Sequence, residues 1–132
     1  GSRVYAVYCG ASATNLDDVV QGGAVAAIFE HATASLDAVK AGSTEPNPRH
    51  FGVTQRLEVR YLSPAPLRTC LRLEVQGDLD PATGTGLALG TLRRVGSGPS
   101  GPCATYAAEV ADPERQGERR RGSASSTVAA NL

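Results

Sequence analysis

The hydrophobic pattern along the chain divides it into a strand, a helix and then four more strands. Residues Arg3 to Cys9 are rich in Val and Tyr and read as a strand. Gly10 to Asp18 is a loop of small and polar residues, in which Asn15, Asp17 or Asp18 is available as a helix cap. From Val19 to Ala41 alanine dominates, no proline intervenes, and Gly42 stands as a stop signal, which predicts a helix. Ala24 to Phe29 is wholly apolar, so the first two turns are expected to be buried all round. After a Pro-containing loop over Ser43 to Gly52 the period becomes two. Leu57, Val59 and Tyr61 alternate with Arg56, Glu58 and Arg60, and Leu71, Leu73 and Val75 with Arg72, Glu74 and Gln76. Ser63-Pro64-Ala65-Pro66 separates these two half-buried strands. A turn over Asp78 to Gly84 leads to a third strand of this set, Thr85 to Val95, weakened by Gly86 and Gly90. A Gly/Ser/Pro connection then leads to a fourth, Cys103 to Ala111, with Ala104, Tyr106, Ala108 and Val110 on one face. One buried helix ahead of a meander predicts an α+β domain, an antiparallel sheet wrapped around one long central helix. Its edge strands invite pairing with another copy.

A length of 132 residues suits one domain with a core of useful size. Thirteen basic and thirteen acidic residues cancel, which argues against a nucleic-acid binder. Of the basic residues only Lys40 is lysine. No apolar run approaches the roughly 20 residues that span a bilayer, so no membrane span is expected. Cys9, Cys70 and Cys103 are odd in number, far apart and without a C-x-x-C pair. A disulfide framework or metal site is therefore not expected, each is read as a small buried side chain, and a reducing intracellular compartment fits, cytoplasm or organelle matrix. The absence of Met beside Gly1-Ser2 reads as a cloning scar over 1–2 with sequence, including any targeting signal, missing upstream. The domain is then 3–111, and 112–132, charged and then Ser- and Ala-rich, is expected to be a flexible tail.

Glu30 is the most informative single residue. Its helix neighbours are Ala26, Ala27, Thr33 and Ala34, so a carboxylate there should be desolvated unless it is paired, which makes it a candidate base or nucleophile. The alternative is a carboxylate at the rim of the buried section. Gly22-Gly23 at the helix start is the second signal: first-turn N–H groups lack helical partners, the helix dipole favours negative charge, and glycine lets a ligand approach. Close packing of the helix on a strand explains the same pair. His31 points about 100° from Glu30 and reads as a core or interface histidine. His50 is expected to be exposed in its loop. No Ser/His/Asp triad can be assigned, and the glycines around Thr85 lack the spacing and following helix of a phosphate loop.

Taken together, Asn15-Leu16, the run Gln21-Gly22-Gly23-Ala24-Val25-Ala26-Ala27-Ile28-Phe29-Glu30, and the run from Thr54 to Leu67 that contains Leu57, Val59, Tyr61, Pro64 and Pro66 resemble the hotdog-fold acyl-CoA thioesterases. The nearest branch is the phenylacetyl-CoA thioesterase-like group and its mitochondrial thioesterase-superfamily relatives. Those carry His-Gly-Gly-Ala, an acid nine positions after the His, and a strand of the form Thr-x-x-Leu-x-Val-x-Tyr-x-x-Pro-x-Pro-Leu. Here 30 − 21 = 9, which puts Glu30 at the acid.

The resemblance implies roles for this chain's residues. Glu30 matches the catalytic acid that activates water or attacks the thioester. Gly22 matches the glycine whose N–H polarises the thioester carbonyl, with Gln21 and Gly23 beside it as substrate-binding residues. Asn15 matches the side chain that places the water or carboxylate, and Thr54 the hydroxyl that assists the acid. It further implies an acyl-CoA substrate, no cofactor beyond the coenzyme A of that substrate, no metal, and a homodimer or dimer of dimers. Asn15 and Gly22 would come from one subunit, Glu30 and Thr54 from the other. Arg56, Arg60, Arg93 and Arg94 are available for the phosphates of CoA. Gln21 departs from the usual His and cannot carry a proton, and the Glu30-to-Thr54 segment is long. Both departures leave open a catalytically inactive hotdog subunit or acyl-CoA-binding protein. A dehydratase of this fold would need a His/Asp pattern on the helix that is not found.

Overall fold

The computed structural model describes residues 1–14, 18–40, 53–80, 82–96, 101–112, 114, 117 and 121–122. Within them the chain runs through strand β1 (Ser2–Tyr8), a short 3-10 turn (Ala11–Ala13), helix α1 (Gly22–Lys40), and strands β2 (Val53–Tyr61), β3 (Cys70–Asp80), β4 (Thr85–Arg94) and β5 (Pro102–Ala111). The strands form one antiparallel sheet in the order β1-β3-β4-β5-β2. β3, β4 and β5 are a meander, and β1 and β2 are the free edges. This is the α+β sheet-and-helix architecture expected from the sequence.

The alternation in the sequence sets the two faces. Leu71, Leu73 and Val75 of β3, Ala88 and Leu92 of β4, and Ala104, Tyr106, Ala108 and Val110 of β5 are buried toward α1. Arg72, Gln76, Arg93 and Glu109 are exposed on the other side. The helix buries Val25, Phe29, Ala32 and Leu36, spaced four, three and four residues apart, with Phe29 fully enclosed. Each such large apolar side chain contributes about 1.5–3 kcal/mol. The expectation that the first turns are buried all round is corrected. Gly23 and Ala27 are exposed, because one sheet covers only one side of the helix.

A polar pair locks the helix to the sheet. The Tyr106 ring stacks on Phe29 with centroids 4.4 Å apart. The Thr33 hydroxyl donates to the Phe29 carbonyl at 2.9 Å and accepts from the Tyr106 hydroxyl at 2.7 Å. Toward β1, Tyr5 and Ser35 are hydrogen-bonded through their hydroxyls. Gly90, read from sequence as a weakness in its strand, is what admits Tyr106: a Cβ there would stand 2.1 Å from the Tyr106 ring. Gly86 is equally tight, 2.2 Å from the Asp78 carbonyl oxygen.

Several boundaries differ from the sequence reading. α1 begins at Gly22 rather than Val19, because Val19 and Val20 are committed elsewhere. Val19 bridges Pro66, Val20 bridges Thr14, and the Val20 amide donates to Ala65 at 2.9 Å. β3 continues past Gln76 to Asp80, since Gly77 to Asp80 keep their ladder with β4, and the turn closes on Gly84 at φ 68°. β2 starts at Val53, directly after the expected loop, and carries a bulge between Thr54 and Arg56. Cys9 and Cys103 are buried, but Cys70 is exposed on the outer face, against the expectation for it. His31 is exposed, which removes its core reading. His50 and most of the 112–132 tail lie outside the described residues. Among the described residues, no helix is long and apolar enough to cross a membrane.

Candidate functional site

The start of α1 is held by three neighbouring pieces of chain. Gln21 is the residue before the helix: its amide donates to the Ala13 carbonyl at 2.8 Å, and its carbonyl accepts from Val25 at 3.1 Å. Its side chain is exposed. The amides of Gly22, Gly23 and Ala24 therefore head the helix without intrahelical acceptors, at the positive end of its dipole. Gly22 lies against Tyr61, the last residue of β2. The Tyr61 hydroxyl donates to the Gly22 carbonyl at 2.7 Å, and a Cβ on Gly22 would meet the Tyr61 ring at 3.3 Å. Gly23 is exposed, with nothing within 4 Å of where its Cβ would be. Of the two glycine explanations, Gly22 thus satisfies the packing one, and Gly23 leaves its peptide open to approach.

Beside these amides is a hollow of about 340 Å³, walled by Val20, Val25, Tyr61, Pro64, Ala65 and Ala104 among others. The walls are mainly apolar. It is roughly twice the size of a cavity that accommodates benzene. A larger hollow of about 610 Å³ lies on the outer face of the sheet, away from the helix start. Its floor carries the ion pair Arg72–Glu74 at 2.7 Å.

Glu30 is exposed, so within one chain the expected desolvation is absent; it corresponds to the rim alternative. It stands eight residues beyond Gly22, about 12 Å along the helix axis. Thr54 is half-buried on β2 opposite Val110. Because Tyr61 touches the helix start, β2 runs back along α1, and Thr54 is seven residues, about 23 Å of strand, from that end. One chain therefore gathers Gln21, Gly22 and Gly23 and keeps Glu30 and Thr54 away from them. Asn15 lies outside the described residues.

Among the four strand arginines, Arg56 pairs with Glu58 at 3.7 Å and Glu109 at 3.8 Å, and Arg60 with Glu58 at 3.4 Å. Arg93 is exposed on the outer face. Arg94 is opposite Leu71 on the helix side, where its guanidinium donates to the Pro64 carbonyl at 2.8 Å and lines a separate hollow with Leu62, Ser63, Gly101 and Pro102. The shifted acidities lie in the interior instead: burial pushes the Cys9 thiol and the Tyr106 hydroxyl up from their ordinary values of 9.0 and 10.0. Sequence reasoning took Tyr61 for a strand-face residue and missed its contact with Gly22. The available signal was an aromatic in the helix-facing phase, directly before the Leu-Ser-Pro break.

The sequence matches no protein-family model and no curated protein significantly. The fold does match solved structures. A thioesterase superfamily protein is 21% identical over 83% of this chain, with TM-score 0.65, and this chain spans half of its length. A Streptococcus mutans protein solved with acetyl CoA bound is 15% identical, with TM-score 0.66, covering 84% of this chain and 80% of its own. A 1,4-dihydroxy-2-naphthoyl-CoA thioesterase from Synechocystis is 13% identical, with TM-score 0.68, covering 87% and 86%. The chain has the hotdog fold of the thioesterase superfamily proteins.

Proposed function

We propose that this chain hydrolyses the thioester of an acyl-CoA, yielding the free acid and CoA. The observation that carries the reading is the open helix start at Gly22-Gly23 beside an apolar hollow of about 340 Å³. The acyl group lies in that hollow. The thioester carbonyl meets the Gly22 N–H, where the developing oxyanion is stabilised by a fixed donor and the helix dipole. Arg94, whose guanidinium donates to the carbonyl of Pro64 in the wall of that hollow, is the candidate for the phosphates.

Glu30 supplies the chemistry. As a general base it takes a proton from water while the water oxygen bonds to the carbonyl carbon. The C–S bond then breaks, the thiolate takes up a proton, and the acid is released. As a nucleophile its carboxylate oxygen bonds to the carbonyl carbon, the C–S bond breaks and the thiolate leaves and takes up a proton, and water then opens the resulting anhydride to the free acid and the Glu30 carboxylate. Because Glu30 stands about 12 Å of helix from Gly22, the two act on one thioester only when they come from two copies of the chain. The active unit is accordingly a homodimer, in which Glu30 and Thr54 come from one subunit and Gly22 from the other.

The test is a panel of short, long and aromatic acyl-CoAs with the wild type and Glu30→Ala. Thioester absorbance is the readout, since exposed Cys70 would react with a thiol reagent. Loss of Glu30 should lower the rate by about 10²- to 10⁴-fold. Absence of hydrolysis by the wild type across the panel would favour the inactive acyl-CoA-binding alternative.

A further inference from the structure

We infer that Tyr61 is a positioning residue that presets the amide donors at the start of α1; the inference rests on the thioesterase reading above. Three observations meet at this side chain. Its hydroxyl donates to the Gly22 carbonyl at 2.7 Å. Its ring lies 3.3 Å from where a Gly22 Cβ would be, so a side chain here would require the ring to give by a few tenths of an ångström. And it is 56% exposed, so burial of the ring does not account for its place.

The carbonyl it holds belongs to the Gly22–Gly23 peptide, and two consecutive glycines are the freest backbone the chain contains. A helix start built on them frays unless something outside the helix holds it. Tyr61 does so from β2, an element with its own ladder to β5. With the Gly22–Gly23 peptide plane fixed, its own N–H, that of Gly23, points in a set direction, beside the Gly22 N–H of the Gln21–Gly22 peptide, whose carbonyl accepts from Val25 at 3.1 Å. Donors that are already aimed require no reorganisation as the oxyanion develops. Donation to the Gly22 carbonyl also polarises that peptide and strengthens its N–H, that of Gly23, as a donor. Tyr61 itself faces the carbonyl oxygen of the peptide and not the substrate, so it acts through the glycines.

The experiment is Tyr61→Phe, which keeps the ring and removes the hydroxyl. kcat and KM are measured on the acyl-CoA that the wild type hydrolyses best. Binding is measured for two stable analogues: a ketone, with CH₂ inserted between carbonyl and sulfur, and a thioether lacking the carbonyl. The expected result is a kcat lowered by about 10-fold, below the full loss of an oxyanion donor, with KM changed by less than about two-fold. Binding of the ketone should weaken and binding of the thioether should not. The inference is overturned by an unchanged kcat in Tyr61→Phe, or by equal weakening of both analogues, which marks Tyr61 as a staple between β2 and α1. Should the wild type hydrolyse nothing, the thioesterase reading fails on its own, and the analogue pair still decides whether Tyr61 aims the amides at a carbonyl.

Discussion

The separation of Gly22 and Glu30 along one rigid helix makes a quantitative prediction about mixed dimers. Two variants are needed, each disabling one half of the site. Glu30→Ala removes an exposed carboxylate, with little expected effect on folding. Gly22→Pro removes the N–H at the first helical residue, a position where proline is favoured. Its added ring atoms meet Tyr61, which is partly exposed and has room to yield. Each homodimer should retain at most about 1% of wild-type kcat, since a lost oxyanion donor or base costs 10²-fold or more. In an equal mixture after subunit exchange, half of the dimers are mixed. In a two-fold symmetric mixed dimer one site combines the intact Gly22 of one chain with the intact Glu30 of the other, while the second site lacks both. One intact site in two, over half of the dimers, gives about a quarter of wild-type activity, far above either parent. The assay is hydrolysis before and after co-refolding of the two variants, with each variant co-refolded alone as control. A mixture that stays at the level of its parents after exchange, with mixed dimers verified by mass, would refute the shared-site argument.

Gly90→Ala should destabilise the fold by about 2–4 kcal/mol although alanine is the better strand residue, because the new methyl group displaces Tyr106 and strains its bond to Thr33. Urea unfolding measures this, and a loss under about 0.5 kcal/mol would contradict the packing described. Alkaline pH should destabilise the protein. Burial pushes the Cys9 and Tyr106 pKa values up in the folded state, so the folded protein binds more protons than the unfolded chain above their ordinary values of 9.0 and 10.0. Stability is thus fully present below about pH 9 and falls as pH rises past it. Urea midpoints at pH 8 and above pH 10 should differ more in the wild type than in Cys9→Ala/Tyr106→Phe.

The sequence alone determined the elements and their faces, because both are short-range properties. Period-two alternation placed Leu71, Leu73 and Val75 on one side of β3 and Arg72 and Gln76 on the other, and the Ala-rich run around Phe29 made the helix. Gly22 and Glu30 stood out locally for the same reason. What the tertiary structure decided is whatever depends on which segment lies against which. Val19 and Val20 left the helix because Pro66 and Ala65 captured their backbone groups. Gly90 became a necessity through a ring sixteen residues later on the neighbouring strand. Glu30 came out exposed, because an apolar helix is buried only where a second layer covers it and one sheet covers one side. Tyr61 meets Gly22 across 39 residues of sequence, and no local pattern encodes such a contact. The period of the residues therefore states which side of each element is apolar, and only the packing states what that side touches.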